Sequence, residues 1–262
     1  MIHLQILLMA VLQGITEFLP VSSSGHLVVL ASIFDQFFEK MDDKLTVNIV
    51  LHLGTLAAIG VFYWRRILAL LGRDRRVIGL LIVGSIPAAA IGVPMKLWFD
   101  DLLESPLLAG FMFLVTGAML AWAGRCKPGE TDCRDLSYAR ALAIGLFQAF
   151  ALLPGVSRSG STIVAGIGAG LKREEAATFS FLLAIPALGG AGLLETVKLF
   201  KNAGSSTPFD ALALGLAASF IVGLAALAWL IRWLEKGKLH YFAWWLFLLG
   251  PAVIAWQIWL RV

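Results

Sequence analysis

Gln13-Gly-Ile-Thr-Glu17-Phe-Leu-Pro20-Val21-Ser22-Ser23-Ser24-Gly25-His26 decides how this chain folds, because the chain writes the phrase twice. The second copy is Gln148-Ala-Phe-Ala-Leu-Leu-Pro154-Gly155-Val156-Ser157-Arg158-Ser159-Gly160-Ser161. Gln, Val, Ser, Ser and Gly recur in register at an offset of 135 (148 − 13). The copies diverge where chemistry would: one carries Glu17, Ser23 and His26, and the other carries Arg158 at the Ser23 position. Two half-sites from duplicated halves imply one composite site for an anion.

Composition fixes the setting. The chain is 59% hydrophobic, only 15% charged, and has a mean hydropathy of +0.85. That excludes an ordinary soluble domain and points to an integral membrane protein. Its 9 Trp and 17 Phe suit interfacial belts and lipid-facing surface. The net charge of +4 is no sign of a nucleic-acid partner, since the basic residues sit in short loops between apolar spans. Cys126 and Cys133 share one loop, expected to be cytoplasmic and reduced, and make neither a metal nor a disulfide framework. No Lys or Arg precedes Lys40, so a cleavable signal peptide is not expected.

A crossing helix needs about 20 apolar residues. Six segments qualify: Thr46–Trp64, Val77–Trp98, Pro106–Gly124, Ala176–Val197, Phe209–Ile231 and Tyr241–Leu260. Residues 1–34 and 138–171 do not, because Pro, Gly and Ser cut each in the middle. Each reads as a re-entrant helical hairpin, tolerated at depth only where buried or lining a wet cavity. The expected fold is therefore all-α and membrane-integral: six transmembrane helices plus two re-entrant hairpins. Residues 1–124 form the first repeat, 125–137 a polar cytoplasmic linker, and 138–262 the second repeat. The Arg/Lys-rich loops at Arg65–Arg76, Arg125–Arg140 and Arg232–Lys238 are assigned to the cytoplasm. Asp35–Lys44 and Asp100–Ser105, acidic on balance, are assigned outside, as are both termini. The hairpins then enter from opposite sides, an inverted repeat whose shared site lies near the midplane.

Glu17 sits four residues after Gln13, on the same helix face. A carboxylate at membrane depth is a functional-site candidate by default. Ser22, Ser23, Ser24 and Gly25, with the amides of a broken helix, suit phosphate oxygens. Ser23 is the favoured nucleophile because its repeat partner is Arg158; His26 could act as general base or acid, or attack directly. Arg158 offers a fork matched to two phosphate oxygens, flanked by Ser157, Ser159, Gly160 and Thr162. His52, four residues from Asn48, reads equally as support for the site or as a satisfied polar pair. His3 and His240 read as interfacial, and Glu195 and Lys198 as snorkelling.

Together the run Gln13-x-x-x-Glu17-Phe-Leu-Pro-Val-Ser-Ser-Ser-Gly-His26 and the run Pro154-Gly-Val-Ser-Arg-Ser-Gly-Ser-Thr162 resemble the two signatures of the bacterial undecaprenyl-pyrophosphate phosphatase (bacitracin-resistance) family. The resemblance covers essentially the whole chain. It implies dephosphorylation of undecaprenyl pyrophosphate to the monophosphate carrier of cell-wall synthesis, in the bacterial plasma (inner) membrane. It further implies six spans with two opposed hairpins, a site open to the periplasm, and support by a divalent cation, Mg²⁺ or Ca²⁺. By position it makes Glu17 the essential acid, Ser23 the nucleophile, His26 the essential imidazole and Arg158 the phosphate-binding arginine. Gln13 stands where the family often has Glu, so a metal ion is expected to bridge Glu17 and the pyrophosphate rather than two carboxylates.

The expected partners are a polyprenyl pyrophosphate and membrane lipids, with no nucleic acid; a homodimer is left open. The rival reading is a transporter or flippase of polyprenyl phosphate, since inverted repeats of broken helices are above all a transporter architecture.

Overall fold

The computed structural model describes residues 2–37, 43–127, 129–201 and 207–260. The expected acidic stretch Asp35–Lys44 lies partly outside these residues, and the side chains of Glu195 and Lys198 are likewise outside the description.

The described structure is all-helical. In chain order the helices are α1 (Ile2–Phe18), α2 (Ser23–Phe37), α3 (Lys44–Phe62), α4 (Trp64–Leu70), α5 (Arg75–Trp98), α6 (Asp100–Leu103), α7 (Pro106–Arg125), α8 (Tyr138–Phe150), α9 (Arg158–Gly168), α10 (Arg173–Lys201), α11 (Phe209–Glu235) and α12 (Tyr241–Trp259). Four segments are long and apolar enough to cross a membrane: Arg75–Met95, Pro106–Arg125, Phe209–Glu235 and Lys238–Trp259. A fifth arises if α3 and α4 count as one span bent by 76°. The expected span Thr46–Trp64 therefore ends two residues early, because α3 stops at Phe62, capped by Tyr63, whose N–H bonds to Ile59 O, and the chain turns sharply into α4. The protein is a multi-pass membrane protein with four or five such spans among the described residues. The core is mainly apolar, with Gln13, Thr55, Ser161, Ser180 and Ser219 also fully buried, while large apolar side chains such as Leu97, Trp98, Trp244, Leu248 and Trp259 face outward, as suits lipid.

The two repeated phrases form two broken elements. α1 ends where Pro20 cannot continue a helix, and Ser23 restarts the chain as α2. α8 ends before Pro154-Gly155, and α9 starts at Arg158. Gly155 takes φ +91°, a conformation glycine adopts without a Cβ penalty. Ser157 caps α9, its Oγ accepting from Gly160 N at 3.0 Å, and Ser22 Oγ accepts from Gly25 N at 3.3 Å in the matching place.

Small residues let the short helices lie close to long ones. α1 packs on α11, and α8 on α5. A Cβ on Gly14 would lie 3.0 Å from Ser219 O, and one on Gly145 would run into Gly84 O. Close backbone approach of this kind drives helix association where lipid removes the hydrophobic force. α3 packs on α10 and on α11, and α7 on α12.

The three basic loops gather at one end of the molecule. Arg66 donates to both oxygens of Glu175 at 2.7 Å, and Glu175 also accepts from Cys133 N at 2.8 Å. Arg76 donates to Arg134 O, and Arg173 lies against Cys126 O and Gly237. The linker is therefore docked rather than loose. Thr131 pairs with Leu171, and Lys172 bonds to Asp132 at 2.7 Å, holding the Asp132 carboxyl below the usual range. Burial pushes the Cys133 thiol up, so it stays protonated and donates to Glu175 O. Neither cysteine is in a disulfide.

Gly145→Val should separate α8 from α5, since the new methyls meet backbone that cannot rotate away. Thermal unfolding in detergent should show a loss of about 1–3 kcal/mol; Gly60→Val, where nothing lies within 4 Å of the position, should show little.

Candidate functional site

The two turns touch. A Cβ on Gly25 would lie 2.7 Å from Gly155 N, and one on Gly160 would lie 3.2 Å from the Pro20 Cβ. Ser159 Oγ donates across the contact to Leu19 O at 3.3 Å. A side chain at position 25 would run into the Gly155 backbone and one at 160 would be tight against Pro20, and the approach brings residues 17 and 158 together.

Glu17 is the hub, buried to 5% exposure. Its Oε1 accepts from Arg158 Nη2 at 2.5 Å. Its Oε2 accepts from Ser23 Oγ at 2.6 Å and from Gln13 Nε2 at 3.1 Å. Arg158, only 15% exposed, also reaches Ser180 O at 3.5 Å with Nη1. Thr162 Oγ1 lies 2.5 Å from Ser180 Oγ and donates to the Arg158 carbonyl, fixing the guanidinium's base. Ser23 and Arg158 are partly exposed and Ser24 is exposed, whereas Gln13, Ser22, Ser157, Ser159, Gly160 and Thr162 are buried. The open edge of the cluster thus carries two hydroxyls and a guanidinium.

His26 stands apart from that hydrogen-bond cluster. Its Nδ1 lies 2.7 Å from Ser22 O, an acceptor only, so Nδ1 carries the proton. Its Nε2 accepts from Trp245 Nε1 of α12 at 3.1 Å. The imidazole is therefore neutral in this arrangement, with both nitrogens engaged. Ser22 has φ +71°, the left-handed region that costs a non-glycine residue about 1–2 kcal/mol.

Several contributors were not singled out in the sequence. Trp245 is one more aromatic in an aromatic-rich helix. Thr116 of α7 donates to Gly155 O at 2.8 Å and accepts from Ser157 N at 3.1 Å, stapling the second turn, and Ser180 carries the Arg158 and Thr162 contacts. None has a sequence signal beyond a polar or aromatic residue in an apolar helix. His52 was only a weak candidate, yet its Nε2 lies 3.9 Å from Glu17 Oε2, while Nδ1 is held by Asn48 O at 2.8 Å. Buried oxygens of Gln13 and Asn48 lack a protein partner.

The donor set does not fit a divalent cation held by the protein. Glu17 is the single carboxylate of the cluster, both its oxygens are engaged, and a guanidinium lies against Oε1. No group of three His, Cys, Asp or Glu side chains suited to a metal occurs among the described residues.

Such a carboxylate can take a proton from Ser23, and such a guanidinium can clamp phosphoryl oxygens. The sequence model of the bacitracin resistance protein BacA matches residues 6–252. The chain belongs to this BacA family. Among its relatives is the undecaprenyl-diphosphatase of Rhodopirellula baltica, 48% identical over 252 residues and 96% of each chain. That of Pelotomaculum thermopropionicum is 38% identical over 261 residues, 95% of each chain. An undecaprenyl-diphosphatase of Bacillus cereus is 38% identical over 256 residues, 97% of each.

Glu17→Gln leaves the buried Arg158 without a counter-charge and should destabilise the protein by about 3 kcal/mol or more in thermal unfolding. The double variant Glu17→Gln/Arg158→Gln should recover most of that loss. A double variant no more stable than the single one would contradict the pairing.

Proposed function

We propose that this protein hydrolyses undecaprenyl pyrophosphate to undecaprenyl phosphate and inorganic phosphate, recycling the lipid carrier of bacterial cell-wall synthesis. The observation that carries the reading is the three-part contact of Ser23 Oγ, the Glu17 carboxylate and the Arg158 guanidinium across two touching turns. Full-length similarity to proteins named undecaprenyl-diphosphatase supports it. The rival transporter reading finds no such support.

The mechanism follows from the contacts. The terminal phosphoryl group enters at the open edge, and its oxygens draw Arg158 from Glu17. The guanidinium then offers paired donors to the oxygens that gain charge in the transition state. Freed of Arg158, Glu17 becomes more basic and accepts the Ser23 proton. Ser23 Oγ attacks the terminal phosphorus, the bond from phosphorus to the bridging oxygen breaks, and undecaprenyl phosphate leaves. Water then cleaves the Ser23 phosphoester and releases inorganic phosphate. Ser22, Ser24, Gly25, Ser157, Ser159, Gly160 and Thr162 shape the pocket, and Gln13 orients Glu17.

We also propose that the chain is an inverted repeat, 1–124 and 138–262 joined by 125–137, with the two broken elements as opposed re-entrant hairpins. Matching helices support this: α7 and α12 begin at Pro106 and Tyr241, the same offset of 135 (241 − 106) as the phrases. Packing supports it as well, because α1 on α11 and α8 on α5 are equivalent pairs under that offset. The gathering of the basic loops favours a cytoplasmic end at Arg66, Arg134 and Gly237, with the termini and the site's mouth toward the periplasm.

Purified protein should release one inorganic phosphate per long-chain prenyl pyrophosphate and leave the monophosphate lipid. Ser23→Ala should abolish turnover. Arg158→Lys should lower kcat by about 100-fold, since a point charge cannot replace the fork. Wild-type turnover by either variant would refute its assigned role.

A further inference from the structure

The mechanism above uses Ser23, Glu17 and Arg158 and assigns no step to His26, although the ring is buried beside the turn that presents Ser23. Its contacts state what it does. Ser22 O accepts twice from residue 26, from the backbone N–H at 3.2 Å and from Nδ1–H at 2.7 Å. Ser22 is the one non-glycine residue with positive φ among the described residues. The ring's donor thus falls on the carbonyl of the strained residue immediately before Ser23.

The second turn supplies the comparison. There the equivalent residue, Ser157, has an ordinary φ of −71°, and its carbonyl accepts from Ser161 N at 2.8 Å. Ser161 replaces His26, and its buried hydroxyl has no protein partner. The turn whose capping serine has an ordinary φ thus lacks a side-chain donor to that serine's carbonyl; the turn whose capping serine is left-handed has one.

Trp245 completes the arrangement from α12. The indole and imidazole planes are within 12° of parallel with centroids 6.2 Å apart, too far for face contact. With Nε1 at 3.1 Å from Nε2, the indole N–H lies near the imidazole plane, where the lone pair points. Phe113 of α7 packs against the same ring at 62°, with centroids 5.0 Å apart. An indole is a donor only, so it fixes Nε2 as acceptor and Nδ1 as donor, the tautomer that Ser22 O requires. No Asp, Glu, Lys or Arg side chain makes a described hydrogen bond or ion pair with the ring.

We propose that His26 and Trp245 are positioning residues: a relay from Trp245 N–H through the imidazole to Ser22 O holds the left-handed turn that aims Ser23 at Glu17. The relay rests on the phosphatase reading and refines it, because it removes His26 from both the nucleophile and the acid–base roles. The specific new residue is Trp245.

The test is a double-mutant cycle on phosphate release from a long-chain prenyl pyrophosphate in detergent. His26→Asn keeps an amide N–H close to the Nδ1 position but offers no acceptor at Nε2. It should retain about a tenth of wild-type kcat or more, with KM little changed and both limbs of the pH–rate profile kept, while His26→Ala falls well below it. Trp245→Phe should lower kcat by about two- to tenfold in the wild-type background. In the His26→Asn background it should add no further loss, because the acceptor is gone. Thermal unfolding of each variant separates misfolding from misplacement. Loss of all turnover in a folded His26→Asn protein, or loss of one pH limb, would return His26 to the chemistry and overturn the proposal. Equal Trp245→Phe losses in both backgrounds would overturn the relay. No phosphate release by wild type would instead refute the phosphatase reading.

Discussion

A carboxylate and a guanidinium meeting in the interior of a membrane protein constrain everything else in this molecule. Neither charge is tolerable alone at that depth. Glu17 and Arg158 come from opposite halves of the chain and meet at 2.5 Å. Their pairing brings two broken helices into contact at their turns, and that contact leaves no space for a side chain at 25 and little at 160. The long helices α5, α7, α11 and α12 then serve as walls that hold the two turns in place.

The same pair gives the site its resting chemistry. While Arg158 holds Glu17, the carboxylate is a poor base and the guanidinium is sheltered. A pyrophosphate headgroup offers the guanidinium a better partner and, in the proposed mechanism, releases the base at the moment the nucleophile needs it. In that mechanism binding and activation become one event, and the serine is activated only when a headgroup is present. Ser180 O accepts from Arg158 Nη1, and Thr162 and Thr116 brace the backbone of the turn that carries it.

Much of this was legible in the sequence, for physical reasons. Apolar runs of spanning length mark α5, α7, α11 and α12 because lipid leaves few alternatives. Pro20 and Pro154 mark the breaks because each removes a donor and ends a helix. Glu17, Ser23 and Arg158 stood out because polar groups at depth need a reason, and the structure brings all three together. The bend at Tyr63 was not legible, since no Pro or Gly marks the boundary between Phe62 and Trp64. His52 and Thr116 were weak or silent because their contacts lie across helices distant in sequence. His26 was visible as a residue but not as a role: only the Trp245 contact, 219 residues away, shows which way its nitrogens face. The linker 125–137 was legible as a polar linker, but not its anchoring to Glu175 and Lys172 at the start of α10, which depends on contacts about 40 residues apart.

If Glu17 holds Arg158 in reserve for the headgroup, carboxylate and substrate compete for one guanidinium. The dissociation constant of a non-hydrolysable prenyl methylenebisphosphonate, measured on the wild-type protein and on folded Glu17→Gln, reads that competition directly. Tighter binding by Glu17→Gln, by about fivefold or more, is the expected result, corresponding to about 1 kcal/mol returned when the competing charge is removed. Equal or weaker binding by the variant would contradict the exchange on which the mechanism turns.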